Sequence, residues 1–175
     1  MMTNDKEIIR TMRENAERGF RLLMATYKEP LYWHIRRLVV SHDDAQDAAQ
    51  ETFIRIFRSF GQYNEANSLR AWLFRIATNE ALRLIERRRN STMPIDGAYD
   101  AEADSYVNYD DLEAVRLQKA ILSLPPKQQL AFNLRYYDEM DYDEIAQIAG
   151  TTAASVKASY HVAKEKIIKY MTNND

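Results

Sequence analysis

Four glycines and four prolines are all that interrupt 175 residues, and this scarcity constrains the fold more than any other property of the chain. All-β and α/β architectures use both residues in many tight turns. The long stretches here rich in Ala, Leu, Arg, Glu and Gln favour helices instead. The expected fold class is therefore all-α. With 46% hydrophobic residues at this length, the chain can bury one sizeable core or two small ones. The absence of cysteine removes disulfide frameworks, thiolate metal sites and a cysteine nucleophile, and fits a reducing compartment. No apolar run approaches about 18 residues and positions 1–13 are polar, so a soluble, cytoplasmic protein is expected. His34, His42 and His161 are too scattered to suggest zinc.

A net charge of -2 counts at first against nucleic-acid binding, but the distribution says otherwise. Residues 1–90 carry 16 Lys and Arg against 12 Asp and Glu. Residues 91–113 contain no Lys or Arg, seven acids, Pro94 and Gly97, and little helical periodicity, which reads as a connector. The remainder, 114–175, has 8 basic and 7 acidic residues. The expected organisation is two small helical domains, 1–90 and 110–175, joined by an acidic flexible linker over 91–109.

In the first domain, 5–27 and 30–40 read as helices. Ser41 with Asp44 resembles a capping box with a shorter acid, opening a helix whose apolar stripe is Ala45, Ala49, Thr52, Phe53, Ile56 and Phe60. Asp44, Asp47, Glu51, Arg55 and Arg58 fall on another face, a possible docking surface. Ser68 caps a helix to about Arg89, with Leu69, Trp72, Leu73 and Ile76 directed to the core. Asn79, Arg83 and Arg87 recur every four residues on a different face. With Arg70, Arg75, Arg88 and Arg89 they form either a track for phosphates or a solvated surface.

The second domain has a tighter pattern. A helix from Asp110 to Ser123 stops before Leu124-Pro125-Pro126, and a second runs from Lys127 to Tyr137. Tyr142 to Ala149 reads as a short helix, Gly150 supplies a positive φ, and Thr152 caps a helix from Ala153 to about Met171. That spacing matches a helix-turn-helix, locked by Ile145, Ala146, Ile148 and Val156. Ser155, Lys157, Ser159, His161 and Lys164 are left as polar candidates for the major groove, and Lys166 and Lys169 for flanking phosphates.

Taken in order, Asp44-Ala45-Gln46-Asp47-Ala48-Ala49-Gln50-Glu51-Thr52-Phe53, the run from Ser68 to Asn79, and Leu124-Pro125 followed by Tyr142-Asp143-Glu144-Ile145-Ala146 and Ser155-Val156-Lys157 resemble the extracytoplasmic-function sigma factors of bacterial RNA polymerase. The resemblance covers nearly the whole chain. It implies a transcription initiation factor with no catalytic site, cofactor, metal or small-molecule substrate. It further implies that Asp44, Asp47, Gln50 and Glu51 dock on the polymerase core (β′ and β subunits). Ser59, Tyr63, Arg75, Asn79, Arg83 and Arg87 would read and melt the -10 element, Ser59, Tyr63 and Asn79 at a pocket for a flipped base. Ser155, Lys157, Ala158, Ser159, His161 and Lys164 would read the -35 element. The acidic linker is similar to a segment that threads the RNA exit path, and an anti-sigma partner is expected.

The chain departs from the family pattern at Arg83, where many relatives carry an acid, and at Ala158, Ser159 and Val162. The promoter sequence therefore does not follow. Two other readings compete. Asp43, Asp44 and Asp47 on one helical turn could hold Mg²⁺ for diphosphate chemistry, although acids at a helix N-terminus have a simpler explanation. A free-standing helix-turn-helix regulator would bind an operator as a symmetric dimer, but has no need of the basic 70–89 helix.

Overall fold

A computed structural model describes residues 3–90 and 111–173; the acidic connector expected at 91–109 lies outside them. The chain packs as two units, Met1–Asn90 and Ser91–Asp175.

In the first unit, α1 (Thr3–Glu14) and α2 (Ala16–Val39) are separated by Asn15 alone. Asn15 is extended, and its side chain accepts a bond from the Arg18 N–H at 3.1 Å. The chain therefore breaks at residue 15, not between Tyr27 and Pro30 as the sequence suggested. An Asn side chain satisfies an N–H that the first helical turn leaves open. Pro30 lies inside α2 on its exposed side, where water can reach the carbonyl its missing N–H leaves behind. The two helices approach closely: a Cβ on buried Gly19 would lie 2.3 Å from the Met12 backbone nitrogen. The Tyr27 hydroxyl also donates to the Asp5 carboxylate at 2.6 Å.

Helix α3 (His42–Ser59) follows a sharp reversal at Val40, whose φ is 69° and whose carbonyl accepts from Arg36 Nε at 2.6 Å. Ser41 caps α3 by accepting from the Asp44 N–H at 3.3 Å. The expected capping box is only half made, because the Ser41 N–H donates to the Val39 carbonyl and the Asp44 carboxylate pairs with Arg88. A 3₁₀ turn, Phe60–Gln62, leads to α4 (Leu69–Arg89), which Ser68 caps by accepting from the Ala71 N–H at 3.2 Å.

Helix α2 packs against α1, α3 and α4, and α3 packs against α4. Leu23, Leu31, Ile35, Ile56, Leu69 and Leu73 are fully buried among them. In α3 the deeper alanine is Ala48, with Ala49 half-buried. In α4, Trp72 and Ile76 are half-buried, and Ala71, Phe74, Ala77, Thr78 and Ala81 take the core positions with Leu69 and Leu73. The reason is that α4 meets both α2 and α3, so it buries a wider arc than a single stripe predicts.

His34 of α2 is fully buried, its ring centroid 5.1 Å from that of Phe74. Its Nε2 lies 2.7 Å from Thr78 Oγ1, while the one hydroxyl hydrogen of Thr78 goes to the Phe74 carbonyl at 2.7 Å. His34 therefore donates from Nε2, and Nδ1 has no hydrogen-bond partner. Burial, helped by the positive charge of Arg37, lowers its pKa to about 3.

The second unit contains α5 (Leu112–Leu122), α6 (Pro126–Tyr136), α7 (Tyr142–Ala149) and α8 (Ala153–Asn173). Its boundaries follow local chemistry. Asp111 accepts from the Ala114 N–H at 3.1 Å, Pro126 occupies the first turn of α6, and Asp141 accepts from the Glu144 N–H at 2.8 Å. Helix α8 packs on α5, α6 and α7, closing a core that includes Ile121, Leu124, Phe132, Ala163 and Ile167. Asn133 of α6 is fully buried in this unit with neither amide atom hydrogen-bonded.

Candidate nucleic-acid and polymerase interfaces

Gly150 ends α7 in the left-handed conformation, at φ 69° and ψ 38°. Two residues later, Thr152 Oγ1 accepts from the Ser155 N–H at 3.1 Å and starts α8. Glycine adopts this φ without the steric penalty a Cβ brings. Ile145, Ala146, Ile148 and Val156 are buried between the helices, as the motif requires. On the opposite side of α8, Ser155, Lys157, Ala158, His161 and Lys164 are exposed and Ser159 is half-buried. Tyr160 turns inward and stacks on Phe132, with centroids 6.0 Å apart. The scaffold beneath is pinned by Arg135, which donates to the Met140 carbonyl at 2.9 Å and lies over the Tyr142 ring at 4.7 Å. The result is a helix whose exposed arc carries hydroxyl, imidazole and ammonium groups.

In the first unit, Arg75, Asn79, Arg83 and Arg87 of α4 are all exposed. Ser59, half-buried, immediately precedes the 3₁₀ turn. Tyr63 is 5% exposed, packs beside Phe60 and Trp72, and donates its hydroxyl to the Asn67 carbonyl at 2.7 Å. Burial, then the carboxylates of Glu65 and Asp5, raise its pKa against the opposing effect of Arg13. In this conformation the ring is a core residue of the 61–68 loop, with almost no surface open to a base.

On α3, Asp47, Gln50 and Glu51 are exposed, whereas the Asp44 side chain is only 13% exposed and pairs with Arg88. That hydrogen bond is the largest cause of the raised pKa of Arg88. Two expectations from sequence are thereby modified. Asp44 is committed inside the chain, and Arg88 has a carboxylate of its own.

Glu80 did not stand out in the sequence. Its carboxylate is 5% exposed and serves both Arg83, at 2.6 Å, and Arg55 of α3. The only available signal was an acid three residues before Arg83 in a helix dominated by arginine; the Arg55 contact depends on how α3 meets α4. A groove of about 360 Å³ runs beside this cluster, lined by residues including Glu51, Arg55, Glu80, Arg83, Arg87 and Asn90. Among the described residues, no group of three His, Asp or Glu side chains is placed to hold a metal ion. No described helix is long and apolar enough to cross a membrane.

Comparison with known proteins agrees with this geometry. Residues 23–91 match the family model of sigma-70 region 2, and residues 114–167 match that of sigma-70 region 4. The RNA polymerase sigma-H factor of Pseudomonas aeruginosa is 28% identical over 179 residues, covering 94% of this chain and 92% of that one. The extracytoplasmic-function sigma factor SigW of Bacillus subtilis is 27% identical over 184 residues, covering 95% and 96%. Among solved structures, CnrH in complex with the cytosolic domain of CnrY shares the fold at a TM-score of 0.77 and 19% identity, over 98% of this chain and 99% of that one. The sigma factor RpoE, in complex with the anti-sigma factor NepR from Bartonella quintana, does so at 0.72 and 21%, over 89% and 98%.

The chain belongs to the sigma-70 family, as an RNA polymerase sigma factor of the extracytoplasmic-function type. It is a transcription initiation factor, and the reading of a free-standing operator-binding regulator is set aside.

Proposed function

We propose that residues 1–90 dock on the polymerase core and read the -10 element, and that residues 110–175 read the -35 element. The observation that carries this division is the pairing of an exposed acidic strip on α3, Asp47 to Glu51, with an exposed Asn79-Arg83-Arg87 row on α4. The acids suit a basic surface on the polymerase. The amide and guanidiniums suit an unpaired base and its phosphates. In the second unit the exposed face of α8 is dimensioned for the major groove, where Lys157 and Lys164 take phosphates and Ser155, Ser159 and His161 reach base edges. Ala158 offers the small apolar surface that a thymine methyl accepts.

The protein works in the cytoplasm with no catalytic activity of its own. Solved structures of similar fold in complex with a second chain, one of them named an anti-sigma factor, support a protein partner for this chain as well. The test is reconstitution. Purified chain added to bacterial core polymerase should produce discrete run-off transcripts from genomic fragments. Sequence-specific DNA binding by the chain alone, with no transcription on addition of core, would overturn the proposal.

A further inference from the structure

Glu80 is an odd residue for a surface helix dominated by arginine. Its carboxylate is 5% exposed, yet both cations that neutralise it, Arg55 and Arg83, are half exposed at 50% and 53%. A carboxylate is costly to bury unless cations or hydrogen-bond donors are held against it. Here one oxygen, Oε1, takes both: Nε of Arg55 from α3 and NH1 of Arg83 from α4. A guanidinium has five N–H donors in a fixed fork, so binding Glu80 through NH1 anchors one end of it and leaves other donors for a second anion. Arg83 shares the adjoining groove with Arg87 and Asn90.

We propose that Glu80 is a positioning residue for promoter reading: its buried carboxylate holds the Arg83 guanidinium in the one orientation from which it can meet the DNA backbone. This rests on the assignment of α4 to the -10 element made above. Without the carboxylate, Arg83 is a free side chain with several rotatable bonds, and each contact to DNA must first order it. Arg55 serves as the second counter-charge, so that the Glu80 carboxylate keeps a cationic partner when Arg83 turns part of its charge to a phosphate.

The experiment is a double-mutant cycle in the reconstituted holoenzyme. Binding to a single-stranded oligonucleotide carrying the region about ten bases upstream of a start site found in the run-off assay is measured alongside the affinity of each variant for core polymerase. Arg83→Ala is expected to weaken oligonucleotide binding roughly tenfold or more, and Glu80→Gln to weaken it several-fold, with core affinity within about twofold of the parent. The double variant should bind no worse than Arg83→Ala alone. Glu80→Met, which fills a similar volume without charge, repeats the measurement should Glu80→Gln fail to fold.

If Arg83→Ala weakens binding but the Glu80 variants do not, or if their losses simply add, the positioning role is wrong and the -10 assignment stands. A Glu80 variant that loses core affinity as much as oligonucleotide binding likewise overturns it in favour of a general structural role. If neither Arg83→Ala nor Asn79→Ala affects the oligonucleotide, the -10 assignment itself falls, and the inference with it.

Discussion

His34 shows how much a single buried side chain can bias the behaviour of the first unit. Its imidazole ordinarily titrates near 6.5, and in the folded protein near 3. Between those values the unfolded chain binds a proton that the folded one does not, so unfolding is favoured as protons become available. The contribution of His34 is therefore fully present above about pH 6.5 and shrinks as pH falls toward 3, by up to about 1.4 kcal/mol per pH unit. Urea unfolding between pH 7 and pH 5 should show the parent losing more stability than Asp or Glu titration explains, and His34→Gln should lose less. An identical pH dependence in both proteins would refute this account. None of it was legible in the sequence, where His34 is one of three scattered histidines. Its burial comes from facing α4, and its tautomer from a threonine 44 residues away.

At the scale of the element, the crossing of α1 and α2 hangs on Gly19. Alanine is the better helix former by about 1 kcal/mol, so an exposed glycine in α2 would be improved by it. At this position the added methyl meets backbone, 2.3 Å from Met12 N and 2.4 Å from its Cα, and backbone cannot swing aside as a side-chain tip can. The overpacking cost of about 1–3 kcal/mol, at its upper end here, outweighs the gain. Gly19→Ala should lower unfolding free energy by about 2 kcal/mol in chemical denaturation, and a stabilised variant would show that α1 sits elsewhere. The contrast between the two units explains what can be read without coordinates. In the second, Asp141, Gly150 and Thr152 each mark a helix end through a bond to a near neighbour, so α7 is found at its sequence boundaries and the turn at its expected place. In the first, Pro30 is a loud signal that the structure absorbs on a wet helix face, while Asn15, a quiet one, makes the break. Which side of α4 is core depends on two partners at once, and so Trp72 and Ile76 gave way to Phe74 and its alanine neighbours.

For the whole molecule, function rests on exposed faces, and faces follow from periodicity more reliably than from partners. The rows Asp47-Gln50-Glu51 and Asn79-Arg83-Arg87, and Ser155, Lys157, Ala158, His161 and Lys164 of α8, lie outward with Ser159 half-buried, because helical spacing fixes which residues turn away from the core. What spacing cannot give is the internal pairing that withdraws charges from that inventory. Asp44 is lost to Arg88, and Arg83 is shared with Glu80. The proposed docking strip therefore has fewer free acids than the sequence displays, and Asp47 and Glu51 carry more of its charge. Reversing one of them, as in Asp47→Lys, should weaken holoenzyme assembly by roughly tenfold, about 1.4 kcal/mol, in a binding titration against core. An unchanged affinity would place the polymerase contact on another face. A different consequence attends Asn133. An amide left unmatched inside an apolar interior costs about 1–3 kcal/mol, a large fraction of the reserve a small unit holds against unfolding. Exchanging Asn133 for a side chain of similar volume without polar atoms removes that cost, so Asn133→Leu should raise the stability of the half that carries the helix-turn-helix in urea unfolding, and a stability no higher than the parent's would overturn this account.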